Sequence, residues 1–91
     1  MSNNQIVLSS LTMDLKRVAV GLNRKSFKMS ERFTKEALKR IKEIDIHLLK
    51  PYICKVISNL ENVLEDKDTD RKAENVLMYS TLIQNYLASS R

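Results

Sequence analysis

The chain has 91 residues, of which 43% are hydrophobic and 30% charged, and it carries a net charge of +5. This composition excludes an intrinsically disordered polymer, and the length leaves room for one hydrophobic core only, so residues 1–91 are expected to form a single domain. One Gly, one Pro and no Asn-Gly or Asp-Gly pair argue against hairpin-rich β structure, and the lone Cys54 excludes an internal disulfide scaffold.

The first five residues lack the basic start and apolar run of a secretory signal, and no apolar run approaches the length of a membrane span. With the single thiol, these features lead to the expectation of a soluble cytoplasmic protein.

The predicted elements are all helical. Leu8, Leu11, Leu15, Val18 and Leu22 recur at spacings of three and four, which predicts a first helix over about residues 10–22. Ser9 or Ser10 would cap its start, and Asp14 would lie in its early turns at the positive end of the helix dipole. Gly21 and Asn23 are the expected terminators. Residues 1–9 are expected as a flexible arm, residues 5–9 having an earlier turn of the same helix as the alternative.

A second helix is predicted from Ser26 or Ser30 to about Leu49, with Phe33, Ala37, Ile41, Ile44 and Leu48 as its buried stripe. Lys25, Lys28, Arg32, Lys35, Lys39 and Lys42 form a second stripe about 180° away at 100° per residue. Glu31 with Lys35 and Glu36 with Arg40 have the spacing of helical ion pairs. Pro51 suits the first turn of a third helix running to about Glu65, although one long helix kinked at Pro51 is the alternative. Its stripe is Leu49, Ile53, Val56, Leu60 and Val63. A charged loop follows, in which Asp68 and Thr69 are good N-caps.

The fourth helix, about residues 70–88, has an unusually broad apolar face: Val76, Tyr79, Leu82, Ile83, Tyr86 and Leu87, widened by Ala73, Leu77 and Met78. Such a face belongs to a central helix or to one at a subunit interface. The expected fold is therefore a small all-α antiparallel bundle of four helices with short connections.

Chemistry-bearing constellations are sparse. Glu43 and His47 are four apart and Cys54 lies beyond them, but zinc needs about four ligands and only one His and one Cys exist. Cys54 has only His47 as a potential base, and no phosphate loop is present, so no metal, cofactor, small-molecule substrate or catalytic activity is expected. Neither DNA-binding helical motif fits. In a helix-turn-helix, Arg24 and Arg32 would occupy apolar positions. In a ribbon-helix-helix, Ile6, Val7 and Leu8 would spoil the alternation of a base-reading strand.

Two functional readings remain. The first is a non-catalytic helical module that binds a protein partner or a second copy, with Leu77, Met78 and Tyr86 as candidate self-association residues. The second is sequence-independent binding of a DNA or RNA backbone by Lys25, Lys28, Arg32, Lys35, Lys39 and Lys42. Residues 16–42 hold ten basic side chains against two acidic ones, which supports an anionic partner. Contact with an anionic membrane is a weaker third reading, because the apolar face of the second helix is needed for the core. Charge asymmetry also suggests head-to-tail pairing of copies, with acidic residues 61–74 against the basic helix.

Overall fold

The computed structural model describes residues 3–89, which form four α-helices and one 3-10 turn. The helices are α1 (Asn3–Asn23), α2 (Phe27–Lys42), α3 (Pro51–Leu64) and α4 (Thr69–Ser89), with the 3-10 turn at Ile46–Leu48. Register shows the packed pairs to be antiparallel: Gly21 meets Ser30 and Asp14 meets Arg40 across α1 and α2, Asn23 lies beside Asp70 and Thr12 meets Ser80 across α1 and α4, and Tyr52 meets Tyr86 and Asn59 meets Tyr79 across α3 and α4. The expected antiparallel four-helix bundle is thus observed, measuring 36 × 21 × 20 Å.

The central helix is α1. It packs extensively on both α2 and α4, whereas α3 leans on α4 and only lightly on α2. The first-helix stripe of Leu8, Leu11, Leu15, Val18 and Leu22 is buried throughout. Residues 3–9 are its opening turns, with Asn4, Val7 and Leu8 buried, so the arm gives way to the helical alternative for this segment; residues 1–2 lie outside the described residues.

Three contacts lock α1 to α2. A Cβ on Gly21 would lie 2.8 Å from the Ser30 backbone nitrogen, so only glycine allows the two backbones to approach this closely. Arg40 Nε donates to Asp14 Oδ2 at 2.6 Å, where Asp14 is mid-helix and buried, not in an early turn. The partner of Arg40 is therefore Asp14 and not Glu36, because tertiary register offers a buried carboxylate that a pair within one helix cannot. Lastly, Asn4 Nδ2 donates to the Asp45 carbonyl at 2.9 Å and Asn4 Oδ1 accepts from the Asp45 N–H at 3.0 Å. The buried side-chain amide satisfies both polar groups of one connector peptide position, as an adjacent strand would.

Chain reversal between α1 and α2 uses a Schellman arrangement. Ser26 N–H donates to the Gly21 carbonyl at 2.8 Å and Lys25 N–H to the Leu22 carbonyl at 3.1 Å. The left-handed residue is Lys25, at φ 57°, and Gly21 has no positive φ. The helix thus ends at Asn23, one of the two expected terminators, but the left-handed residue lies two positions beyond it, and Gly21 is spent on close packing.

The second helix stops at Lys42, earlier than its apolar spacing predicts. Ile44 remains buried, but Leu48 is 72% exposed on the 3-10 turn. Asp45 caps that turn by accepting from His47 N–H. Lys50 is extended and Pro51 opens α3, so Pro51 separates two helices and kinks none. Ile53, Ile57, Leu60, Val63 and Leu64 of α3 are buried.

The α3–α4 loop is built on carboxylates. Asp68 Oδ1 accepts from Arg71 N–H as an N-cap, and Asp66 takes Arg71 in a two-point pair at 2.6 and 2.9 Å. The Arg71 guanidinium, with the Asp68 N–H, holds the Asp66 carboxyl down at about 2, and the Asp66 carboxylate raises the Arg71 pKa in turn. Burial pushes the Lys72 ammonium pKa down, opposed by the Asp66 charge; its Nζ donates to Thr34 Oγ1 at 3.1 Å and joins α4 to α2.

Opposite outcomes are expected for two substitutions at the first reversal. Gly21→Ala should lower the unfolding free energy by ~1–2 kcal/mol in urea denaturation, because overpacking against backbone outweighs the gain in helix propensity. Lys25→Gly should raise it by ~0.5–1 kcal/mol, because glycine removes the left-handed penalty and loses part of that gain to unfolded-chain entropy. At the second loop, Asp66 binds its proton more weakly when folded than when unfolded. Its contribution should be full above about pH 4 and disappear as pH falls through about 2. Acid unfolding of Asp66→Asn and the parent should therefore converge below that window, with the parent more stable above it.

Candidate functional site

Two surfaces carry the residues singled out from sequence. The first is the outward side of α4. Only Ala73, Val76, Ser80 and Ile83 of this helix are buried, while Tyr79, Tyr86 and Leu87 pack partly against the core. The remaining large apolar side chains of α4 are covered only in part by the described residues. Leu77 is 48% exposed, Met78 50% and Leu82 40%. Together with Glu74 and Thr81 they line a shallow groove along the helix.

Leu77 and Met78 therefore fall on one surface, but Tyr86 does not join them. Its ring meets Tyr52 of α3 edge-on, with centroids 5.8 Å apart and planes at 77°, and it is half-buried there. The helical wheel explains the split. Tyr79 and Tyr86 are seven apart and face α3, where Asn59 Nδ2 donates to Tyr79 Oη at 2.6 Å. Leu82 takes the place of Tyr86 on the outward surface. On the neighbouring α1, Met13 and Val20 are also outward and exposed, at 52% and 38%. Their seven-residue spacing was legible in the sequence, but the buried leucine stripe of the same helix masks it.

The second surface is cationic. Lys28, Arg32, Lys35, Lys39 and Lys42 all stand exposed on α2, opposite Ala37 and Ile41. Lys25 belongs to the reversal preceding the helix, outside the helical row. Glu31 and Lys35 form the expected helical pair at 3.6 Å, with both side chains more than 70% exposed.

One participant was not identified from sequence. The Arg17 guanidinium of α1 lies 5.2 Å from the Phe33 ring centroid, and that of Arg32 lies 5.4 Å from it. Phe33 is thus a half-buried plate shared by two arginines from different helices. Spacing within one helix reveals Arg32 beside Phe33, whereas Arg17 requires the α1–α2 register.

The potential metal ligands do not assemble. The end of α2 at Lys42 breaks the helical spacing between Glu43 and His47, and among the described residues no three His, Cys, Asp or Glu side chains form a cluster. Cys54 is half-buried in the first turns of α3, its Sγ 3.3 Å from the Ile46 carbonyl oxygen. No described helix is long and apolar enough to cross a membrane. No protein-family model, curated protein or solved structure matches the chain, so its functional reading rests on these two surfaces.

Proposed function

We propose that the protein is a non-catalytic helical interaction module that binds a second copy of itself through the outward face of α4. The observation that carries this reading is the exposure of Leu77, Met78 and Leu82, each 40–50% accessible, within six residues of one helix. Sequence distribution supports a two-fold arrangement. An axis near residues 79–80 on antiparallel α4 helices would set Leu77 against the partner's Leu82 and Met78 beside the partner's Thr81. It would also set Glu74 across from Asn85, avoiding a like-charge contact. A parallel arrangement would oppose Glu74 to Glu74.

Magnitudes indicate a weak association. Fully burying a Leu or Met side chain stabilises by ~1.5–3 kcal/mol, so covering the exposed halves of Leu77, Met78 and Leu82 contributes ~4–8 kcal/mol over two copies. Association itself costs ~4–15 kcal/mol. The balance corresponds to a reversible dimer that populates with concentration. The charge-driven head-to-tail alternative is less well supported, since Asp66 of the acidic stretch is already paired with Arg71 of its own chain.

Sedimentation velocity from ~10 µM to ~1 mM tests the proposal. The expected result is a rising dimer fraction that is unchanged between low and high salt, because buried apolar contact is little affected by ionic screening. Leu77→Glu with Met78→Glu should leave a helical monomer at all concentrations. A parent chain that stays monomeric throughout would refute self-association, and a dimer that dissolves in salt would favour charge pairing.

A further inference from the structure

We propose that the solvent face of α2, extended by Arg17 of α1, binds the phosphodiester backbone of double-stranded nucleic acid. This surface is separate from the α4 face, and the proposal stands independently of self-association.

The first argument is geometric. Lys28, Arg32, Lys35, Lys39 and Lys42 climb α2 at alternating steps of four and three residues. From the first to the last the rise is about 21 Å at 1.5 Å per residue. One strand of a duplex presents a phosphate about every 3.4 Å of axis but winds away from a straight rod, so the row reaches roughly four phosphates before the strand turns off it. A rigid row of five cations with a sixth beside it supplies a cation for each of them.

The second argument is the state of these charges. Where the fold turns a cation of α2 inward, it supplies a carboxylate: Arg40 has Asp14 at 2.6 Å. Along the outward row only Lys35 has an ion-pair partner among the described residues, Glu31 at 3.6 Å and highly exposed. Such surface pairs are worth little and yield readily to a polyanion. Arg17 and Arg32 are stacked on Phe33, which holds their guanidiniums in place while leaving the N–H donors free for phosphate oxygens. Holding the side chains beforehand lowers the ordering cost of binding.

The third argument selects the ligand. Beside the row the only accessible ring among the described residues of α2 is Phe27, 55% exposed at the helix start, and the face of Phe33 is occupied by guanidinium, so a platform for successive stacked bases is missing. The apolar side of α2 is buried in the core through Ala37 and Ile41 and is not free to enter a bilayer. An evenly spaced row without a pocket suits a regular polyanion better than an acidic protein patch.

Fluorescence anisotropy of the full chain with labelled 20-base-pair DNA and RNA duplexes, at 50 and 200 mM salt, tests this. With about four phosphates neutralised, affinity for at least one duplex should fall roughly a hundred-fold between the two salts. The DNA and RNA arms show which duplex supplies the backbone. Arg32→Glu, Lys35→Glu and Lys39→Glu together should abolish binding with helicity retained by circular dichroism. The milder Arg17→Gln and Lys39→Gln should each reduce the salt slope by about one. Lys55→Glu with Lys67→Glu, away from the row, should leave most of the affinity. Absence of duplex binding at 50 mM salt overturns the proposal, as does equal loss from the distant pair. Tighter binding to poly-glutamate, to phosphatidylserine vesicles, or to single strands with loss on Phe27→Ala also overturns it.

Discussion

The close approach of α1 and α2 at Gly21 sets the rest of the structure. With no Cβ on Gly21, the Ser30 backbone settles directly against α1. This brings Asp14 within 2.6 Å of Arg40 and lays Arg17 beside the Phe33 ring. At the far end of the pair, Asn4 holds Asp45 by two hydrogen bonds. Fixed at both ends and in the middle, α2 has a single rotational setting. That setting buries Ala37 and Ile41 and turns the cation row to solvent. A wider helix spacing would loosen the ion pair that is most expensive to leave half-made, since a buried carboxylate without its partner costs several kcal/mol.

A second consequence concerns α4. Because α1 already receives α2 on one side, α4 covers the other and reaches the rest of the bundle through α3. Its apolar face is wider than the contact available to it. The core takes Ala73, Val76 and Ile83, α3 takes Tyr79 and Tyr86, and Leu77, Met78 and Leu82 remain outside. A chain of this length buries a smaller fraction of its surface than a larger domain, so under the proposed self-association the cover from a second copy would add to its stability. The two surfaces thus differ in origin. One is apolar area in excess of the core, and the other is charge left without an internal counter-ion.

Polar groups in the interior follow one rule. Among the described residues, no buried side-chain nitrogen or oxygen lacks a hydrogen-bond partner. Asn4 reaches the Asp45 peptide groups, Thr12 Oγ1 donates to the Ser9 carbonyl at 2.7 Å, and Ser80 Oγ donates to the Thr12 carbonyl at 3.4 Å. The Asn4 and Ser80 bonds set register between elements whose leucines alone would tolerate sliding, because apolar contact is non-directional and hydrogen bonds are not, whereas the Thr12 bond lies within α1.

The amino-acid sequence by itself determined that the chain is helical and most of each buried stripe, since period and capping are local properties of the chain, although Leu48 and Leu82 are exposed and Leu49 and Val56 only half-buried. The leucine stripe of α1, the start of α3 at Pro51 and the Asp68 cap of α4 were legible in this way. The exposure of the α2 cations followed from the same periodicity, each lying opposite an apolar position. Tertiary structure decided what depends on register between helices. It made Gly21 a packing residue and passed the left-handed turn to Lys25, and it drew Arg40 away from Glu36 to Asp14. It ended α2 before Leu48, moved Tyr86 from the outward face to Tyr52, and brought Arg17 to Phe33. Each of these outcomes joins residues from different helices, and the distance between such residues is set by how whole helices pack, which no spacing along one helix encodes.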